Sequence, residues 1–153
     1  MFGYDELERE FERIAKKQKI HFIPVKPGHT EEEISELEKD IGVKLADDYR
    51  KFLKMYKELE FYDLYVVHDL KEYAWDINRI RESREEMNAP MPANMYVLGY
   101  FDYECPIYLQ DTKGMVYEFV WDYKYSKPKK IADSFLEFMN QQIEYLDKLP
   151  VIK

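Results

Sequence analysis

The sequence predicts an α+β fold: an antiparallel sheet of about four to six strands with helices packed around it. Two observations carry this. Segments of helical periodicity stand at both ends of the chain, and strand-like runs follow one another between them without the alternation that a parallel βαβ sheet requires. A third observation sets the scale. The chain has 153 residues, 46% apolar and 16% aromatic, which suits one domain with its own core, here residues 1–153, and excludes a disordered acidic tail.

The elements follow in order. Asp5 to Gln18 places Leu7, Phe11, Ile14 and Ala15 on one stripe, with charged residues elsewhere, and predicts an amphipathic helix. Ile20 to Val25 runs into Pro24 and Pro27 and reads as an extended connector. Thr30 followed by Glu33 has capping-box spacing, Ile34, Leu37 and Ile41 form a stripe, and Gly42 suits a left-handed C-terminal cap, so a helix is expected over Thr30 to Ile41. Asp47 or Asp48 is expected to cap a third helix carrying Tyr49, Phe52, Leu53 and Tyr56.

Phe61 to His68 reads as a strand, and Asp69 with Glu72 opens a further helix bearing Leu70, Tyr73, Ala74, Ile77 and Ile80 toward Arg84. Pro90 and Pro92 interrupt it. Met95 to Phe101, Ile107 to Gln110 and Met115 to Asp122 then predict strands, the last two joined by an Asp111 to Gly114 hairpin with glycine at the residue needing positive φ. The alternation in the last strand predicts a meander with one aromatic, buried face. Lys127 to Lys130 reads as a basic turn, and Ala132 to Lys148 as a terminal helix with Phe135, Leu136, Met139, Ile143 and Leu146 inward.

Charge narrows the function classes. The net charge of −8 divides into −3 over residues 1–60, −7 over 61–123 and +2 over 124–153. An acidic chain gains no counterion-release affinity from a phosphate backbone, so direct nucleic-acid binding is disfavoured and a basic partner is the physical alternative to a merely solvated surface. No apolar run suggests a signal or a membrane span, and the single Cys105 suits a reducing cytoplasm.

The search for chemistry is sparse. His21, His29 and His68 lack metal-ligand spacing, Cys105 has no adjacent base, and the five glycines never cluster into a phosphate-binding loop. The paired carboxylates Asp47 with Asp48 and Glu85 with Glu86 fit helix caps and solvated faces better than acid–base dyads. No catalytic, cofactor-binding or metal-ligating residue is therefore predicted, and the expectation is a binding protein without a cofactor.

Thr30 to Leu53, TEEEISELEKDIGVKLADDYRKFL, resembles the opening of the SUKH superfamily, named partly after a fungal cell-wall synthesis regulator. A capped helix ends at Gly42 to Leu45, and Tyr49, Phe52 and Leu53 follow. Leu98 to Asp102, Ile107 to Asp111, Gly114, Val116-Tyr117, Trp121-Asp122 and Ala132 to Phe138 continue the likeness, with Ala46 standing where that family usually has proline. The resemblance implies an α+β domain acting as a bacterial immunity protein, which neutralises a cognate toxin, often a nuclease, by stoichiometric binding and without catalysis. A regulatory or scaffold protein with an endogenous partner is the alternative. A third possibility, a hydrolytic enzyme, predicts a concave pocket holding two or more buried carboxylates. For a partner with a basic surface, the acidic middle segment supplies the candidate contacts: Asp63, Asp102, Tyr103, Glu104, Asp122 and Tyr123.

Overall fold

The computed structural model describes residues 1–61, 64–67, 69–101, 107–119 and 127–151. The elements in chain order are α1 (Tyr4–Gln18), β1 (Phe22–Val25), α2 (Glu31–Ile41), α3 (Asp47–Met55), β2 (Glu58–Phe61), β3 (Leu64–Val67), α4 (Leu70–Glu86), β4 (Met95–Phe101), β5 (Ile107–Asp111), β6 (Val116–Phe119), β7 (Lys129–Ala132) and α5 (Phe135–Asp147). The strands form one antiparallel meander in sequence order, β1 through β7. An α+β architecture results, as the order of periodicities predicts.

The sheet extends to seven strands, beyond the four to six expected, because short segments are recruited at both edges. The stretch read as a connector contains β1, where Pro24 is tolerated because an edge strand bonds on one side only. The stretch read as a basic turn contains the start of β7. The run from Phe61 onward is split between β2 and β3, which pair with each other.

The helix caps show what local sequence dictates. Thr30 Oγ1 accepts from the Glu33 amide at 3.2 Å, and Glu33 Oε1 accepts from the Thr30 amide at 3.1 Å, which completes the expected capping box. Gly42 adopts φ 70° at the C-terminal end of α2, a left-handed conformation that glycine reaches without steric cost. Asp69 Oδ1 caps α4 by accepting from the amides of Lys71 and Glu72.

The third helix departs from expectation. Its N-cap is Ala46, without a side-chain cap, and Asp48 turns away to accept from the Phe135 amide of α5 at 2.7 Å. The Ala46 amide, which a proline would lack, donates to Tyr96 Oη at 2.8 Å.

Both faces of the sheet are covered, rather than the one face that alternation predicts. Tyr96 pairs with Gln110 across β4 and β5, so Tyr96, Tyr108 and Gln110 share a face. There Tyr49 of α3 stacks on Tyr96 at 5.8 Å, and Tyr108 packs on Phe138 of α5 at 4.7 Å. On the opposite face the Arg84 guanidinium of α4 lies 4.3 Å from the Phe119 ring centroid. β5 is buried at every position as a consequence. Each fully buried Phe or Leu in this core contributes about 1.5–3 kcal/mol relative to exposure.

Helix α4 also bonds to the backbone of the sheet. Among the described residues, β3 pairs with Tyr100 and Phe101 of β4, and side chains of α4 meet carbonyls earlier in β4. Arg81 Nη2 donates to the Met95 carbonyl at 2.9 Å, and Tyr73 donates its hydroxyl hydrogen to the Val97 carbonyl. Buried backbone acceptors are thereby satisfied by side chains.

Candidate functional site

A group able to do chemistry would be a buried polar cluster, and the molecule has one between α3, β4, β5 and α5. Tyr96 donates its hydroxyl hydrogen to Gln110 Oε1 at 2.6 Å. The Gln110 amide donates to Asp48 Oδ1 and to the Gly114 carbonyl, each at 3.0 Å. Asp48 Oδ2 accepts from Phe135 N, so both its oxygens are occupied. Burial pushes the Tyr96 hydroxyl well above the ordinary tyrosine range, which keeps it a neutral donor.

Asp111 is likewise committed to the hairpin. Its Oδ1 accepts from the amides of Lys113 and Met115, and its Oδ2 accepts from the Tyr117 hydroxyl. Gly114 takes φ 104° in this turn, the positive value expected of it. These carboxylates hold elements together. The arrangement matches a structural network more closely than an acid–base pair.

His29 is the one buried histidine among the described residues. Its Nε2 lies 3.0 Å from the Lys57 carbonyl and its Nδ1 3.7 Å from Glu33 Oε2, which fastens the segment before α2 to the end of α3. No group of three or more His, Cys, Asp or Glu side chains with metal-site geometry occurs among the described residues.

The surface offers more. A groove of about 110 Å³ runs between α2 and the start of α4, lined by Glu33, Glu36, Leu37, Asp40, Asp69, Leu70 and Lys71. Four carboxylates thus face one amine. Asn78 Nδ2 donates to the Asp40 carbonyl at 3.2 Å, which holds the two helices in register. Beside the groove, one turn beyond Lys71, Trp75 is 60% exposed. The Arg79 guanidinium sits 4.9 Å from its ring.

All six predicted contacts, Asp63, Asp102, Tyr103, Glu104, Asp122 and Tyr123, lie outside the described residues. The acidity of the middle segment is nonetheless partly placed. Glu72, Asp76, Glu82, Glu85 and Glu86, five of the twelve acids of residues 61–123, lie on α4, but Lys71, Arg79, Arg81 and Arg84 share that helix and bring its net charge to −1. The sequence held a signal for this surface that the apolar stripe obscures. Leu70, Tyr73, Ala74 and Ile77 define the inner face of α4, and at 100° per residue Trp75 falls well off it.

The family model for the SMI1 / KNR4 family (SUKH-1) matches residues 28–141, a span that begins before α2 and ends inside α5. The chain belongs to this SUKH family. The match takes in the capped α2, the Tyr49-Phe52-Leu53 helix, α4 and the meander from β2 to β7, and leaves out α1 and β1. No curated protein matches the chain's sequence. Membership of the SUKH family fits immunity or regulatory proteins that act by binding other proteins. No described helix is long and apolar enough to cross a membrane.

Proposed function

We propose that this SUKH-family protein is an immunity protein, which neutralises a cognate toxin by stoichiometric protein–protein binding in the cytoplasm. The observation that carries the reading is the family match over residues 28–141. The chemistry of the described residues supports it. The carboxylates of half-buried Asp48 and buried Asp111 are consumed by structural hydrogen bonds, whereas exposed Glu36 and Asp40 of α2 and Glu72 of α4 stand in no ion pair among the described residues. A basic nuclease is the toxin class that such a surface suits, because carboxylates can occupy the positions that nucleic-acid phosphates otherwise fill.

Co-expression with the toxin domain encoded beside this protein's gene tests the reading. Growth rescue, with a stoichiometric complex on gel filtration, is expected. Absence of both overturns the immunity role and leaves a regulatory protein with an endogenous partner as the reading to pursue.

A further inference from the structure

We propose that the outward ridge formed by α2 and α4, with Trp75 as its apolar anchor, is a docking face for a protein partner presenting Lys and Arg side chains. The proposal rests on the reading above that the protein acts by binding another protein, and it adds where and by what chemistry.

Trp75 is the starting point. An indole has a large apolar area to bury, and Trp and Arg are enriched among the residues that dominate binding energy at interfaces. Here Arg79, one turn along, lies against the ring. It restricts the indole in the unbound protein, which lowers the ordering cost of association. Tyr145 is equally exposed, but beside it Glu144 is already paired with Lys148 at 2.8 Å and offers no unmatched charge.

The distribution of ion pairs separates this ridge from other surfaces. On α1 and α5 four of the eight acids are in ion pairs: Glu8 with Lys26, Glu10 with Arg13, Glu144 with Lys148, and Asp147 with Arg13 and Lys17. On the ridge, Glu31 is held by Arg50 and Lys54. Glu36, Asp40, Glu72 and Asp76, in contrast, have no ion-pair partner within 4.0 Å among the described residues.

Glu36 and Asp40 line the groove beside Lys71, and Glu72 and Asp76 flank Trp75 on its other side by helical spacing. A volume of about 110 Å³ holds several waters or the head of one basic side chain. Self-repulsion among unmatched carboxylates is relieved when cations enter, and the same field accelerates encounter with a basic surface.

The test uses the full chain and a blocked peptide of repeating Leu-Lys-Leu-Arg, with its Glu-substituted counterpart as control. Backbone amide shifts should concentrate in residues 31–40 and 69–82, and indole emission should move to the blue. Trp75→Ala, and separately Glu36→Lys with Asp40→Lys, should each weaken binding about tenfold or more. Glu144→Lys makes the same charge reversal on α5 and should leave affinity unchanged. Circular dichroism confirms that each variant is folded.

The docking face is overturned if the wild type fails to bind the basic peptide, if the ridge variants bind as tightly as wild type, or if Glu144→Lys is equally damaging. In the toxin co-expression assay the two readings separate. Rescue by wild type and by the Glu36→Lys, Asp40→Lys variant alike rejects the ridge and keeps immunity. No rescue by wild type, together with peptide binding confined to the ridge, rejects immunity and keeps the docking face.

Discussion

The two ends of α5 are anchored by different physics. At its start, the Phe135 amide donates to Asp48 of α3, a residue in turn bonded to Gln110 and through it to Tyr96. At its end, Gln18 of α1 donates to the carbonyls of Leu146 and Leu149, each at 2.9 Å, while Arg13 and Lys17 pair with the Asp147 carboxylate on the surface. One anchor is a hydrogen-bond network largely out of solvent. The other combines a buried amide with ion pairs that water and salt can reach. The difference teaches that the number of contacts predicts little. What a group loses when its partner disappears decides its worth.

Asp48→Ala should break the first anchor most severely. It leaves the Gln110 amide and the Phe135 amide without their acceptor, and each orphaned donor costs about 1–3 kcal/mol, so a loss of about 3 kcal/mol is expected in urea unfolding. Asp48→Asn keeps an acceptor oxygen but sets an amide against one of two donors, and should recover only part of that. Full stability in Asp48→Ala would mean that water replaces the carboxylate at no cost.

Tyr96→Phe should follow at about 2 kcal/mol, because the Ala46 amide and Gln110 Oε1 both lose the hydroxyl. The two variants share Gln110 as a neighbour, so their effects should not add. A double-mutant cycle should return a coupling of about 0.5–3 kcal/mol, and additivity would dissolve the idea of one network.

This network also marks where sequence reasoning stops. The signals for α2 are local: Thr30 sits three residues from Glu33, and Gly42 follows the last apolar position, so cap and stop are both legible. The role of Asp48 is not, because its acceptor role is fixed by an amide 87 residues away, and nothing local separates a carboxylate that caps its own helix from one that caps another. β1 and β7 were obscured for a related reason. Four residues at a sheet edge need little alternation, and prolines near both argue locally for a break. Trp75 lay between these cases, since its angle on α4 is computable from sequence, yet its meaning depends on α2 lying alongside.

Gln18→Ala tests the buried half of the second anchor. The Leu146 carbonyl, in a buried bond, and the Leu149 carbonyl just past α5, in a half-buried one, lose their donor, although each acceptor keeps a second lone pair for another partner. A loss of about 1–2 kcal/mol is expected, seen as a lower urea midpoint with an unchanged slope. A change in slope would instead indicate that α5 detaches before the rest unfolds.

Asp147→Asn should have the smallest effect of the series. The Arg13 and Lys17 partners hold its carboxyl at about 2, well below the ordinary carboxylate value, and they also offset the unfavourable position of an anion at a helix C-terminus. A depressed folded-state value means that the stabilisation is present above the unfolded value of about 3.9 and is lost as pH falls through about 2. The side chain is about a third exposed, at 34%, so screening limits the contribution to at most about 1 kcal/mol. The difference between wild type and Asp147→Asn should therefore shrink from pH 5 toward pH 2, and should shrink at neutral pH when salt is raised. The Asp48→Ala deficit should be less sensitive to the same salt, because its network sets neutral donors, and no cation, around one half-buried carboxylate. Equal salt sensitivity of the two would erase the distinction between the ends of α5.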